Sequence, residues 1–120
     1  MAKNLEISVL LDYYGQMLTD KQREVVQLYY NEDLSLAEIA QFANITRQGV
    51  RDSIKRAETT LLELEERLGL VRKFREYQGM IEEITACARD IAFEADKYPT
   101  ARKIRREAEK IVELAQKIND

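Results

Sequence analysis

The sequence predicts an all-α fold on three observations. Apolar residues recur at intervals of three and four along most of the chain, which is the period of an amphipathic helix. No stretch has the period-two alternation of Val, Ile and Thr that is typical of half-buried strands. The single proline, Pro99, leaves the rest of the chain free to form helices. We expect two parts, a helix-turn-helix domain over 1–68 and a C-terminal helical hairpin over 69–120.

The first helix is predicted from Leu5 to about Met17, with Gly15 near its end. A second helix follows because Thr19 and Gln22 have the spacing of a capping box. In this arrangement the threonine hydroxyl accepts a hydrogen bond from one free backbone amide, and the glutamine accepts one from another. We expect the second helix to run from Asp20 to about Tyr30.

The third and fourth helices are predicted to be joined by a tight turn. Ser35 and Glu38 repeat the capping-box spacing and begin a short helix that extends through Phe42. Asn44 falls where such a turn requires a positive φ, which asparagine tolerates better than most residues other than glycine. Thr46 then caps the fourth helix.

The fourth helix is expected to be long and amphipathic. It spans about 22 residues, or roughly 33 Å. Gly69 is expected to end it in left-handed geometry. Its apolar side consists of residues three or four positions apart: Val50, Ile54, Ala57, Leu61, Leu64 and Leu68.

The residues after Gly69 have a heptad pattern on both sides of "KYPT", residues 97–100. Because proline prevents simple continuation, two helices of similar length are expected to fold back as an antiparallel hairpin. The many alanines supply little buried area, so a further partner surface is implied and we expect a homodimer. The alternative is that the hairpin packs on the leucines of its own fourth helix. The two seams are Phe74, Tyr77, Ile81, Ile84, Ala88, Ile91 and Ala95, and Ala101, Ile104, Ala108, Ile111, Ala115 and Ile118.

The composition does not favour an enzyme. With no histidine and one cysteine, a zinc site or a Cys/His nucleophile has too few side chains. The four glycines are far apart, so no loop can cradle a phosphate in the manner of glycine-rich motifs. Carboxylate pairs such as Glu65-Glu66 lie among basic residues at helical spacing, which is typical of a solvated face. We expect no catalytic activity, no cofactor and no metal.

Cys87, the lack of a long apolar run and the first residues of the sequence predict a cytoplasmic location. Cys87 has no partner for an internal disulfide, as is usual in a reducing compartment. It lies among Ile84, Ala88 and Ile91, and we expect it to be a small buried apolar residue. No run of apolar residues is long enough to span a membrane, and "MAKNLEISVLLDYYG" lacks the features of a signal peptide. We therefore expect no membrane partner.

Charge is distributed unevenly along the chain. The net charge of −3 argues against a general nucleic-acid coat, because nonspecific affinity comes from neutralising phosphates. However, residues 46–75 carry eight basic and five acidic side chains, and 99–120 carry six basic and four acidic. Residues 1–45 and 76–98 are acidic. Basic charge is therefore concentrated in two places.

The start of the fourth helix has the residue types that bind DNA. In a helix-turn-helix the second helix exposes polar side chains near its N-terminus, where arginine can pair with guanine and glutamine with adenine. Asp52 lies among these residues and adds a repulsive charge. We expect weak, salt-sensitive binding by one copy and useful affinity from a dimer spanning successive grooves, about 34 Å apart. The alternative is a surface helix that is only solvated. The candidate DNA-binding residues are Arg47, Gln48, Arg51, Lys55 and, as a phosphate contact, Arg56.

The second basic segment is "ARKIRR", residues 101–106. Cations in a first helical turn oppose the helix dipole, and such a local cost can mark a binding site. The alternative is that neighbouring carboxylates such as Asp96 compensate for it. The candidate secondary site for an anionic partner consists of Arg102, Lys103, Arg105 and Arg106.

The segment from Leu10 to Leu68 carries a family resemblance, in the blocks "LTDKQREV…LYYNEDLSLAEIA" and "TRQGVRDSIKR". It resembles the bacterial YlxM family of small DNA-binding proteins, which are in turn similar to the promoter-reading C-terminal domain of sigma factors. The hairpin matches the family only in helical character. Arg51 stands where the family would have an aromatic residue, and Phe42-Ala43 inverts the expected order of large and small residues.

The resemblance also implies a second role. YlxM proteins are linked by gene neighbourhood to the GTPase of the signal recognition particle, and have been suggested to act in or regulate that pathway. Three functions therefore remain open. The chain is a DNA-binding regulator, an accessory that docks on the signal-recognition-particle GTPase or its RNA, or a scaffold that kept the fold without binding nucleic acid.

Overall fold

A computed structural model describes residues 3–119, which form helices joined by short turns. No strand occurs in that range, so the predicted all-α fold is confirmed. Between residues 3 and 119 no helix is both long and apolar enough to cross a bilayer. Two 3-10 turns lie at Gly15–Met17 and Pro99–Ala101. The α-helices are α1 (Leu5–Tyr14), α2 (Asp20–Tyr30), α3 (Leu36–Ala43), α4 (Arg47–Leu68), α5 (Leu70–Ala95) and α6 (Arg102–Asn119).

Both predicted capping boxes are present. Thr19 Oγ1 accepts from the Gln22 amide at 3.2 Å, and Gln22 Oε1 accepts from the Thr19 amide at 3.3 Å. Ser35 and Glu38 make the same reciprocal pair, both at 3.1 Å. These side chains satisfy amides that have no partner within their helices. They set the starts of α2 and α3.

The end of α1 differs from the expectation of a helix to Met17. The α-helix stops at Tyr14, and the chain continues as the 3-10 turn Gly15–Met17. The Leu18 amide donates to the Gly15 carbonyl at 3.2 Å, which is the tighter bonding of a 3-10 turn. This tightening brings Leu18 into the core ahead of α2.

The chain divides into two compact units, Met1–Val71 and Arg72–Asp120. In the first unit, α1, α2 and α3 pack against α4 around one apolar core. The predicted apolar side of α4 lies in this core as far as Leu61, and Leu64 is partly buried. Leu68 is 40% exposed, so the apolar side leaves the core in the last turn of α4.

Gly69 ends α4 as predicted, with φ 62° and ψ 29°. This left-handed geometry suits a residue without a Cβ. The start of α5 is then held by Tyr14, whose hydroxyl is in the core of the first unit. That hydroxyl accepts from the Leu70 amide at 3.0 Å and donates to Glu65 Oε1 at 2.6 Å. Glu65 Oε1 also accepts from the Val71 amide at 3.1 Å.

The second unit is the hairpin of α5 and α6. Pro99 begins the 3-10 turn that separates the two helices, as its missing amide predicts. Ala101 and Ile81 of the two seams are partly buried. The other seam alanines are buried, whereas the other isoleucines are exposed over about half of their surface: Ala88, Ala95, Ala108 and Ala115, against Ile84, Ile91, Ile104, Ile111 and Ile118. A two-helix layer therefore covers only the alanine side of each seam.

The expectation that Cys87 is buried is wrong. Its side chain is exposed, because Cys87 shares the side of α5 occupied by Ile84 and Ile91. Ala88, the next residue, turns toward the other helix of the hairpin and is buried. Heptad position therefore decides burial here more than side-chain polarity does.

Candidate nucleic-acid interface

The turn between α3 and α4 has the left-handed residue that the sequence predicts. Asn44 has φ 57° and ψ 45°. Its amide and the amide of Ile45 both donate to the Ala40 carbonyl, the latter at 3.1 Å. Lys21 of α2 reaches across and donates to the Ala43 carbonyl at 3.0 Å. The carbonyls of Ala40 and Ala43 at the end of α3 thus accept hydrogen bonds, and these bonds hold the turn from both sides.

The rotation of α4 about its own axis is set by its cap and its buried side. Thr46 Oγ1 accepts from the Gly49 amide at 3.0 Å, so the helix starts at a defined residue. Val50, Ile54 and Ala57 have no exposed surface. The residues between these core positions must therefore face outward, because side chains three or four apart share one face of a helix.

All five candidate DNA-binding residues are exposed: Arg47, Gln48, Arg51, Lys55 and Arg56. Arg47, Gln48 and Arg51 come together in the wall of an open cavity of about 490 Å³. Lys55 and Arg56 lie one turn and more beyond it and do not line it. The structure thus groups three of the five and leaves two farther along the same helix.

The opposite wall of this cavity is the first turn of α3, formed by Ser35, Leu36 and Ala37. The Ser35 hydroxyl accepts a hydrogen bond from the Glu38 amide. The first amides of any α-helix have no carbonyl partner within the helix, and they form its positive end. The sequence pattern did not indicate that these residues belong to the site. The Ser35 capping box marked the helix start but not its position beside Arg47 and Arg51.

The cations of α4 are available to a ligand. Across the residues that the structure describes, Arg47, Arg51 and Arg56 form no ion pair. Gln48 is engaged, because its amide nitrogen donates to Asp52 Oδ1 at 3.0 Å. To pair with a base, Gln48 must therefore leave Asp52 or present its carbonyl oxygen.

Behind this surface, α4 and α2 share a partly buried carboxyl group. Burial raises the pKa of Glu58, and the opposing effects of its hydrogen bond with Tyr30 and of the Lys55 charge are smaller. Burial also raises the pKa of the Tyr30 hydroxyl. These groups lie beside the cationic surface and join the two helices. They are not part of the cavity wall.

The secondary basic site is only partly assembled. Arg102, Arg105 and Arg106 line a cavity of about 330 Å³ at the start of α6, and Lys103 does not line it. Arg105 donates to Asp96 and, at 3.1 Å, to Glu109, and these hydrogen bonds raise the pKa of its guanidinium. Carboxylates therefore compensate Arg105, as the alternative expectation has it. Within the part of the chain that the structure describes, Arg102 and Arg106 form no ion pair.

Several known proteins are similar in sequence to this chain. The family model described as "Putative helix-turn-helix protein, YlxM / p13 like" matches residues 1–100. A UPF0122 protein of Acetivibrio thermocellus is 42% identical over 116 residues, which cover 97% of this chain and 99% of that protein. A UPF0122 protein of Desulforamulus reducens is 54% identical over 80 residues, covering 66% of this chain and 68% of that protein. One of Caldanaerobacter subterraneus is 51% identical over 83 residues, covering 69% and 71%.

Proposed function

The chain belongs to the UPF0122 family of YlxM/p13-like helix-turn-helix proteins, and we propose that it is a DNA-binding regulator that reads DNA with α4. The observation that carries the proposal is the cavity between the first turns of α3 and α4, with Arg47, Gln48 and Arg51 in its wall. The family description names a helix-turn-helix protein and no enzymatic activity.

The positions of the α4 residues support different contacts with DNA for different residues. Arg47 and Gln48 stand in its first turn, where an inserted recognition helix meets base edges. Arg51 and Lys55 follow at intervals of four residues on the same exposed side, which suits contact with a phosphate backbone. Arg56 is next to Lys55 and contacts a phosphate at the edge.

The first turn of α3 completes this interface. Its positive end faces the same cavity as Arg47 and Arg51, so a phosphate there would meet amides and guanidinium groups together. Such a contact anchors the backbone and carries no sequence information. Sequence preference then depends on Arg47 and Gln48.

Affinity is expected to depend on a second copy. The chain has a net charge of −3, so one copy meets a repulsive background on DNA. A homodimer would double the number of phosphate contacts and match two half-sites about 34 Å apart. We therefore propose that the active form is a cytoplasmic homodimer.

A binding titration tests this function. The full chain is titrated against a library of DNA fragments at two salt concentrations, beside Arg47→Ala, Arg51→Ala and the control Arg89→Ala, which changes an exposed arginine of α5. We expect salt-dependent binding by the parent and the control, and binding at least about tenfold weaker when a contact of α4 is lost. Absence of salt-dependent binding by the parent, or equal binding by all four proteins, would refute the proposal.

A second candidate function is that of an accessory to the signal recognition particle. It is favoured by the Arg102 and Arg106 charges, which lie on the hairpin and away from α4 in the sequence. Their chemistry suits the phosphates of an RNA or an acidic protein surface. The test is a titration with purified signal-recognition-particle RNA and, separately, its GTPase. Binding that is lost in Arg102→Gln/Arg106→Gln but kept in Arg47→Ala would favour this role, and no binding to either partner would exclude it.

A further inference from the structure

The hairpin repeats a half-exposed apolar residue every seven positions on both helices. In α5 the series occupies one face at every second turn. Its last member, Tyr98, follows where the helix has already ended, and α6 has a series of its own. The exposed fractions range from 43% to 62%. The residues are Tyr77, Ile84, Ile91 and Tyr98, and Ile104, Ile111 and Ile118. A strict seven-residue repeat of apolar side chains is typical of a helix seam that packs against another helix.

A parallel series of alanines already fills the seam between α5 and α6. Ala88 and Ala95 are seven residues apart and buried, as are Ala108 and Ala115. Each alanine lies four residues after, or three before, one of the half-exposed residues. The two helices therefore pack through alanine, and the larger side chains lie side by side on the uncovered face.

Two apolar cavities open on this uncovered face. One, of about 540 Å³, lies between Ile84 and Cys87 of α5 and Ile111 of α6. The other, of about 400 Å³, reaches Tyr98 and Ile104. Ile91 lines both cavities, so they form one continuous groove along the hairpin.

We propose that this face binds the same face of a second copy, so that two hairpins form an antiparallel four-helix bundle in which α5 of each chain lies against α6 of the other. The proposal specifies the interface of the homodimer in the proposed function, and it is tested without nucleic acid. The interface is isologous, because the same residues contribute from both chains.

The apolar area of the face is close to what a stable dimer needs. Seven side chains of this size, each about half exposed, present roughly 600 Å² per chain. Met80 and Leu114, which are 57% and 50% exposed, add to this area. Standard protein interfaces bury about 800 Å² per partner. The exposed apolar area is therefore large enough to pack against a second hairpin. It is also larger than the single, scattered apolar residues that are normal on a protein surface.

Charge on the two edges of the face selects the arrangement. One residue before the half-exposed positions, α5 carries Glu76, Glu83 and Asp90, all exposed. The equivalent positions of α6 are Lys103, Lys110 and Lys117, also exposed. Among the described residues of these two sets, only Lys117 is in an ion pair. Its Nζ lies 3.7 Å from Glu113 of the same helix. The hairpin thus has one acidic and one basic edge.

A two-fold axis parallel to the helices brings the acidic edge of α5 beside the basic edge of α6 of the partner. An axis perpendicular to the helices would place α5 on α5, with like charges facing each other. Since like-charge contacts are unfavourable and opposite charges at flanking positions choose the partner helix, the first arrangement is selected. It brings Glu83 level with Lys110 of the partner, because Ile84 and Ile111 already share one cavity within the hairpin.

The experiment is a charge exchange in the full chain. One variant combines Lys103→Glu, Lys110→Glu and Lys117→Glu, and the other combines Glu76→Lys, Glu83→Lys and Asp90→Lys. A control, Glu82→Lys/Arg89→Glu, changes two exposed charges that flank neither edge. Circular dichroism checks that each protein is helical, and sedimentation velocity measures the mass of each alone and of the two charge variants mixed.

We expect the parent and the control to sediment as dimers of the 14.0 kDa chain. For each charge variant alone, the dissociation constant of the dimer should be at least about tenfold higher than that of the parent. An equal mixture of the two variants should recover the dimer, because every edge contact is again between opposite charges. A parent that stays monomeric overturns the proposal. A dimer that both charge variants retain unchanged, or a mixture that stays monomeric, overturns the α5-to-α6 arrangement. These outcomes do not depend on whether DNA is bound.

Discussion

Removing the Tyr14 hydroxyl tests how the first unit holds the start of α5. Tyr14 has no exposed surface, and its hydroxyl donates to Glu65 Oε1 at 2.6 Å and accepts from the Leu70 amide at 3.0 Å. Tyr14→Phe keeps the ring in the core and removes only these two bonds. The Val71 amide keeps its bond to Glu65.

The expected cost follows from the two bonds that are lost. A hydrogen bond to a charged group contributes roughly 1.5–3 kcal/mol, and an ordinary one about 1 kcal/mol. Leu70 is an exposed residue, and we expect its amide to bond to water in the variant, which reduces the cost of losing this bond. We therefore expect the free energy of unfolding to fall by about 2 kcal/mol, measured by urea unfolding. Tyr98→Phe, which changes a 62% exposed tyrosine, is the control and should cost little.

The same variant should alter the pH dependence of stability. Burial, and then the hydrogen bond to Glu65, raise the pKa of Tyr14 above its ordinary value near 10. The neutral phenol is therefore favoured in the folded state, and its contribution is complete below pH 10 and is lost as pH rises toward the higher folded pKa. The difference in free energy of unfolding between the parent and Tyr14→Phe should therefore become smaller above pH 10. A difference under about 0.5 kcal/mol at pH 7, or one that does not change with pH, would contradict this account.

Three further predictions concern the turn and the two basic sites. Asn44→Val should lower the free energy of unfolding by about 1–2 kcal/mol, because a β-branched residue is strained at positive φ. Asn44→Gly should be as stable as the parent. Equal thermal stability of the two variants would contradict the role of the turn. Asp52→Asn should strengthen DNA binding about two- to fivefold at low salt by removing a charge beside Gln48, and a gain that persists at high salt would point to another cause. Arg102→Gln/Arg106→Gln should weaken RNA binding and leave DNA affinity unchanged. An equal loss of affinity for both ligands would contradict two separate binding sites.

Local signals account for the parts of the fold that the sequence predicted. The capping boxes at Thr19 and Ser35, the left-handed Asn44 and Gly69, and the break at Pro99 each depend on one or two neighbouring residues. The long apolar side of α4 follows from helical period alone. These features require no knowledge of which helices pack together, and all of them are present.

Features that depend on distant parts of the chain were not predictable in this way. The bond between Tyr14 and Glu65 joins residues 51 positions apart. The wall that Ser35, Leu36 and Ala37 contribute to the cavity depends on the angle between α3 and α4. Cys87 was expected to be buried because its neighbours are apolar, but no second layer covers that side within the hairpin. The roles of the α4 and α6 basic residues in binding stay predictions.

The most direct test of the central claim is an amide chemical-shift map of the isotope-labelled chain titrated with a DNA duplex. We predict that the amides of Leu36, Ala37 and residues 47–56 shift, that residues 80–95 of α5 do not, and that Arg47→Ala/Arg51→Ala removes the effect at equal DNA concentration. Shifts confined to the hairpin, or none at DNA concentrations that saturate known helix-turn-helix domains, would contradict the claim that α3 and α4 form a DNA-binding surface.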